Sequence, residues 1–162
     1  MELIWLGRYK GLVHALVHHS NCVARKAGVS IDRGMGVSLT SQEFQFLEAV
    51  IEHEDDVLIL SAYATLTGIS RSSLTLAAKK LESYGLVEKF KFANNKKNII
   101  LRPTEKGKML YLQSCKETGE KTFSSFFDKL SFLTDDQLEK IADAIMALDI
   151  KISDGEDELI KQ

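Results

Sequence analysis

The chain has 162 residues, of which 44% are apolar and 27% charged with a single proline, so it can bury a core and is neither disordered nor fibrous. Its two cysteines, Cys22 and Cys115, are too few for a disulfide framework. The first residues lack the basic start of a secretory signal, and no apolar run has the length of a membrane span. We therefore expect a cytoplasmic protein with no membrane partner.

The N-terminal region predicts a long amphipathic helix from Glu2 to about Ala27. On its polar side, His14, His18 and Cys22 follow at four-residue spacing and lie within about 80° of one another. These side-chain types bind zinc and other borderline metals, so the set is a candidate metal site. The alternatives are a solvated or dimer-interface face and, for Cys22 alone, a redox-sensing thiol activated by the basic residues that follow it.

The next stretch carries signals for a linker, a helix and a strand. Residues Gly28–Leu39 contain several glycines and predict a linker. Thr40 and Glu43 form a capping box that begins a short helix. The apolar run Val57–Leu60 then favours a strand over a helix.

Two short helices separated by a glycine turn are predicted next. Ser61 is expected to cap the first, Gly68 to end it and Ser70 to cap the second, which ends at Gly85 in a left-handed cap. The second helix turns four apolar side chains inward: Leu74, Ala77, Ala78 and Leu81.

A hairpin and two further helices complete the chain. The segments Leu86–Phe92 and Asn98–Arg102 have β character and flank a polar tip. Thr104 is expected to begin a single helix that runs to about Lys129. A capping box at Thr134 begins a final amphipathic helix, and residues 151–162 form an acidic tail.

Basic residues are concentrated in one part of this acidic protein. The stretch from Ser70 to Lys108 holds ten basic and three acidic residues, a net charge of +7, while the whole chain has a net charge of −2. Such a segment marks where a polyanion could bind, and the alternative is a solvated charged face.

The order helix, strand, helix, turn, helix, hairpin predicts a mainly α fold of the winged helix-turn-helix class. In this fold the second helix of the turn enters the major groove of duplex DNA, and the hairpin tip reaches the minor groove or the backbone. The candidate recognition-helix residues are Ser70, Arg71, Ser72, Ser73, Thr75, Leu76, Lys79 and Lys80. The candidate wing residues are Asn94, Asn95, Lys96 and Lys97.

The residues from Leu39 to Gly107 resemble the MarR family of transcription regulators. The matching elements are Leu39-Thr40, Tyr63-Ala64, Gly68-Ile69-Ser70-Arg71-Ser72-Ser73-Leu74-Thr75, Leu81-Glu82, Gly85-Leu86-Val87-Glu88-Lys89 and Thr104-Glu105-Lys106-Gly107. The resemblance implies a DNA-binding lobe at residues 40–103 and a helical dimerisation region formed by 1–39 and 104–150, together making one chain domain. This sequence departs from the family at Thr67 and Leu76, and in the wing, where Asn95 and Lys97 replace an Asp and an Arg.

We expect a homodimer that binds duplex DNA in a sequence-specific way and represses transcription. No cofactor is predicted, but a small-molecule, metal or redox effector could relieve the repression. The cluster of Phe123, Phe126, Phe127 and Phe132 is expected to pack between two chains, with a ligand pocket as the alternative. The sequence carries no catalytic motif, so an enzyme is not expected. The competing interpretation is a protein-interaction winged helix that no longer binds DNA.

Overall fold

The structure is a computed structural model that describes residues 4–92, 95–116 and 120–148. It divides into two compact units, Met1–Thr118 and Gly119–Gln162. Within the described ranges, no helix combines the length and apolar character needed to cross a membrane. The predicted acidic tail and Asn94 lie outside the described residues.

The N-terminal helix is interrupted near its start. A 3-10 segment, Ile4–Tyr9, precedes helix α1, Lys10–Lys26. The prediction of one continuous helix from Glu2 is wrong, because Gly7 adopts φ 48° and ψ −134°, a conformation that breaks helical geometry. The predicted linker contains a small antiparallel pair, β1 (Ile31–Asp32) and β2 (Ser38–Leu39).

Helix α2, Ser41–Glu52, begins at the predicted capping box. Thr40 Oγ1 accepts a hydrogen bond from the Glu43 backbone N–H, and the Glu43 carboxylate accepts one from the Thr40 N–H. This reciprocal arrangement satisfies two of the donors that a helix N-terminus leaves free.

The strand predicted at Val57–Leu60 is wrong. Residues 57–59 are irregular, and Leu60 begins helix α3, Leu60–Thr67, whose N-cap is Ile59 rather than the predicted Ser61. A short apolar run does not distinguish a strand from the start of a buried helix. Here Leu58 and Leu60 are half-buried against the core without joining a sheet.

Helix α4, Arg71–Ser83, begins at the predicted cap, and the predicted hairpin follows it with an earlier start of its second strand. Ser70 caps the N-terminus of α4. After the helix ends, the chain turns at Gly85, which has φ 69°. Strands β3 (Val87–Phe92) and β4 (Asn95–Pro103) pair in antiparallel fashion with an irregularity between Lys91 and Phe92. The second strand starts at Asn95 rather than at the predicted Asn98, so part of the predicted tip belongs to β4.

The core joins α2, α3, α4, the base of the hairpin and α5. Phe46 and Tyr63 meet edge to face with ring centroids 5.4 Å apart. The four predicted inward residues of α4 are all buried. The largest fully buried side chains are Tyr63, Phe46, Leu39, Leu47, Leu74, Leu81, Leu86, Leu101, Leu110, Val37, Val50 and Val87.

The region after the hairpin differs from the predicted single helix. Helix α5, Glu105–Ser114, is followed by π-helical geometry at Cys115 and Lys116, and helix α6 covers Glu120–Leu130. One uninterrupted α-helix to Lys129 is therefore wrong, because a π turn changes the register of the backbone hydrogen bonds. Helix α7, Asp135–Met146, begins at the predicted capping box.

Candidate nucleic-acid interface

Helix α4, the candidate recognition helix, presents a mixed basic and apolar face. Its buried positions follow helical spacing, so the opposite side chains are directed to solvent. Leu76 is 67% exposed, so an apolar side chain lies among the cations of this face. The exposed residues on this face are Arg71, Ser72, Thr75, Leu76 and Lys79.

The hydroxyls at the start of α4 form a local network. Ser70 Oγ accepts from the Ser73 N–H at 3.2 Å and donates to Ser73 Oγ at 2.8 Å, and it lies 3.1 Å from Ser72 Oγ. Thr75 Oγ1 donates to the carbonyl oxygen of Arg71. Ser70 and Ser73 therefore stabilise the helix N-terminus, while Ser72 and Thr75 are exposed.

The turn between α3 and α4 explains one departure from the family pattern. Gly68 has φ 69°, a left-handed conformation in which glycine carries no steric penalty. Thr67 Oγ1 donates to the Tyr63 carbonyl at 2.7 Å and accepts from the Ile69 N–H at 3.2 Å. The hydroxyl of Thr67 thus joins the last turn of α3 to the residue that follows Gly68.

Several residues of the basic segment have partners within the protein. Lys80 pairs with Glu43, Lys89 with Glu82, and Lys108 with Glu54. Within the described ranges, Arg71, Lys79 and Lys91 have no ion pair. The cations available to a polyanion are therefore fewer than the net charge of +7 suggests.

The base of the hairpin is fixed by Arg102 of β4. Its guanidinium donates to the carbonyl oxygens of Glu54 and Asp56, in the turn after α2. The backbone of Asn95, Lys96 and Lys97 lies in β4, whereas their side chains and the whole of Asn94 are outside the described part of the structure. The role predicted for these wing residues stays a prediction.

The candidate metal residues come together only in part. Cys22 Sγ lies 3.6 Å from His18 Nε2 and accepts a hydrogen bond from Arg25 at 3.2 Å. Where side chains are described, no group of three His, Cys, Asp or Glu is arranged to hold a metal ion. A zinc site with His14 as third ligand stays a prediction that would require side-chain rearrangement.

Arg33 is a feature that the sequence interpretation missed. This arginine of the predicted linker is buried, and its guanidinium carbon lies 4.2 Å from the Phe44 ring centroid. Among the described residues, its Nε has no hydrogen-bond partner. Desolvation lowers the pKa of Arg33 below its ordinary value. Phe44 in turn stacks on Tyr111, whose hydroxyl donates to Glu48. A charged residue among glycines gives no sequence signal of such burial.

These elements define a class of protein: a winged helix-turn-helix domain with additional helices before and after it. No family model matches the chain. A curated relative is 37% identical over 67 residues, which are 41% of this chain and 45% of the relative, so the match spans less than half of that protein. It is the uncharacterized HTH-type transcriptional regulator YybA of Bacillus subtilis (strain 168).

Similar solved structures extend over nearly the whole chain. The transcriptional regulator BldR from Sulfolobus solfataricus has a TM-score of 0.62 at 18% identity and covers 91% of this chain and 99% of its own. An uncharacterized SlyA-like transcription regulator from Listeria monocytogenes has a TM-score of 0.51 at 27% identity, and the match covers 91% of this chain and 87% of that one. A mutant of MarR from E. coli, complexed with operator DNA, has a TM-score of 0.56 at 15% identity, covering 91% and 98%.

The chain has the winged-helix fold of the MarR-family regulators. These structures confirm the fold class and the resemblance that the sequence predicted.

Proposed function

We propose that this chain binds duplex DNA in a sequence-specific way as a homodimer and regulates transcription, as a repressor rather than an activator. The observation that carries the proposal is the exposed face of α4. Both Arg71 and Leu76 are exposed, and we propose that Arg71 forms a bidentate hydrogen bond with guanine and that Leu76 contacts a thymine methyl group. Burial of Leu76 in a groove would remove its exposed apolar surface from water, which is favourable.

The electrostatics support the same surface. Arg71 and Lys79 are exposed on the helix, and the basic wing follows α4 in the chain. A similar structure, the MarR mutant, was solved with operator DNA, which supports DNA as the partner for this fold. Binding should therefore weaken with salt through counterion release.

The homodimer is proposed from the apolar surface of the flanking helices. Leu12, Val17 and Val23 of α1 are exposed although they lie on the helix's apolar side. In the C-terminal unit, Phe123, Phe126 and Phe127 are each at least half exposed, and their rings contact one another, so they form one apolar patch. A second copy of the chain would cover these faces by two-fold symmetry and place two recognition helices about 34 Å apart.

Dimerisation is tested by substitution in α6. Replacing Phe126 and Phe127 by lysine should give a monomer in sedimentation-velocity experiments and should weaken site-specific binding. Ser125→Lys, on the same helix, is the matched control and should stay dimeric. A Phe126→Lys/Phe127→Lys protein that folds and stays dimeric would refute the assignment of this patch to the interface.

DNA binding is tested by selecting sites from a random duplex pool with the purified protein. Fluorescence anisotropy should then show tighter binding to the selected site than to a scrambled duplex. A protein that yields no enriched site refutes sequence-specific binding. One that is also not retained on heparin or random duplex DNA at low salt supports the alternative, a winged helix used for protein contacts.

A further inference from the structure

We infer that Lys80 is a positioning residue that fixes the orientation of the recognition helix through Glu43, and that it does not bind DNA phosphate. This inference rests on the proposed DNA binding. It departs from the sequence-based expectation that Lys80, like Lys79, binds DNA.

The ion pair between α4 and α2 is short and partly desolvated. Lys80 Nζ lies 2.6 Å from Glu43 Oε2, and the two side chains are 31% and 18% exposed. A pair in such surroundings is screened less by salt than an exposed pair, and removal of one partner leaves the other poorly solvated. Lys79, one residue earlier, is exposed and has no partner within the described ranges.

The acceptor oxygen on Glu43 is itself fixed. Glu43 Oε2 also accepts the Thr40 backbone N–H at 2.8 Å, while Thr40 Oγ1 accepts the Glu43 N–H. One carboxylate oxygen therefore joins the N-terminus of α2 to the C-terminal half of α4. Because the capping box holds the carboxylate in place, the ammonium group is directed toward α2, which restrains rotation of α4 about its axis.

Rotation of α4 would move the residues that face the major groove. Arg71 and Leu76 are on the same helix, so a small change in its orientation displaces their contact atoms from the base edges. Contacts with phosphates tolerate such a shift better, because they depend mainly on charge. Loss of the ion pair should therefore reduce sequence discrimination more than non-specific affinity.

The experiment compares the DNA affinity of Lys80→Met with that of Lys79→Met. The second variant is the matched control, because Lys79 has no partner within the described ranges. Affinities are measured over a salt series on the selected and scrambled duplexes. Lys80→Met should lower the ratio of the two affinities by about 2- to 30-fold, the usual range for residues that act indirectly. Its log–log salt slope should equal that of the wild type. Lys79→Met should flatten the slope by about 0.9 per lobe.

Two further variants decide between positioning and phosphate binding. Glu43→Gln keeps an oxygen for the Thr40 N–H and removes the charge, so it should reduce discrimination as Lys80→Met does. If Lys80 binds phosphate, Glu43→Gln should instead leave the affinities for the selected and the scrambled duplex unchanged from the wild type, or raise both. Lys80→Arg retains a cation that can reach Glu43 and should restore discrimination at an unchanged slope.

The outcomes separate this inference from the proposed function. A wild-type protein with no preferred duplex overturns the proposed function and, with it, the inference. If the wild type discriminates but Lys80→Met flattens the slope by about 0.9 per lobe, Lys80 binds phosphate and the inference is wrong. It is also wrong if Lys80→Met changes neither the slope nor the affinity ratio. Should Lys80→Met fail to fold, Glu43→Gln gives the same decision.

Discussion

Replacement of Gly107 by alanine should destabilise the protein although it places a better helix former inside a helix. Gly107 is buried in the first turn of α5. A Cβ at this position would overlap the carbonyl oxygen of Leu86 and lie 3.1 Å from the carbonyl carbon. Both atoms belong to the backbone, so they cannot move aside as a flexible side chain would.

The surrounding hydrogen bonds prevent α5 from moving away from the Leu86 carbonyl. The Thr104 N–H donates to the Leu86 carbonyl at 3.0 Å, and Thr104 Oγ1 donates to the Gly85 carbonyl at 2.7 Å. The Lys106 ammonium donates to the carbonyl of Tyr84. Alanine must either strain the packing, at about 1–3 kcal/mol, or break such bonds, at about 0.5–1.5 kcal/mol each. The helix-propensity gain of about 1 kcal/mol offsets only part of this.

Thermal and urea unfolding measure the effect. After the propensity gain is subtracted from the strain, a net loss of up to about 2 kcal/mol should lower Tm by roughly 2–4 °C for each kcal/mol in a chain of this size. Gly11→Ala in α1 is the matched control, because no heavy atom lies within 4 Å of its added Cβ. It should stabilise by about 0.4–1 kcal/mol. A Gly107→Ala protein that is stabilised as much as Gly11→Ala would refute the steric argument.

Three other predictions concern the interface, the titration of a tyrosine and the candidate metal site. Arg71→Ala should reduce the free energy of binding to the selected duplex by roughly 1–3 kcal/mol per half-site and change binding to a scrambled duplex little. Replacing Lys96 and Lys97 by alanine should weaken binding to both duplexes equally and flatten the log–log salt slope by as much as about 4 units. Equal losses for Arg71→Ala on both duplexes would contradict this division. The hydrogen bond from Tyr111 to Glu48 raises the pKa of Tyr111, so the folded state retains the proton more strongly and stability should decline as the pH rises above about 10. Unfolding of Tyr111→Phe should show a smaller decline, and an identical decline would exclude this residue as a cause. If the N-terminal set holds zinc, purified protein should contain metal that His18→Ala removes, and elemental analysis without metal would end that hypothesis.

Signals between residues that are close in the sequence were sufficient to predict most of the helices and the hairpin. Capping boxes at Thr40 and Thr134, the left-handed glycines at positions 68 and 85, and the buried spacing of α4 all depend on neighbouring residues. Such features act over one or two helical turns, so the sequence determined the helix-turn-helix and the hairpin directly. It also determined which face of α4 is apolar and hence which side chains can reach a partner.

Only the tertiary structure decided which of those side chains already have a partner within the protein. Lys80 has the sequence signal of an outward cation, yet Glu43 binds it from 37 positions away. The burial of Arg33 over Phe44 and the close approach of α5 to Leu86 are likewise contacts between distant segments. The strand predicted at Val57–Leu60 fails because the same apolar run is buried equally well as the entry to a helix. Pairings across the fold depend on where whole elements pack, and helical or strand periodicity specifies the face of an element but not its neighbour.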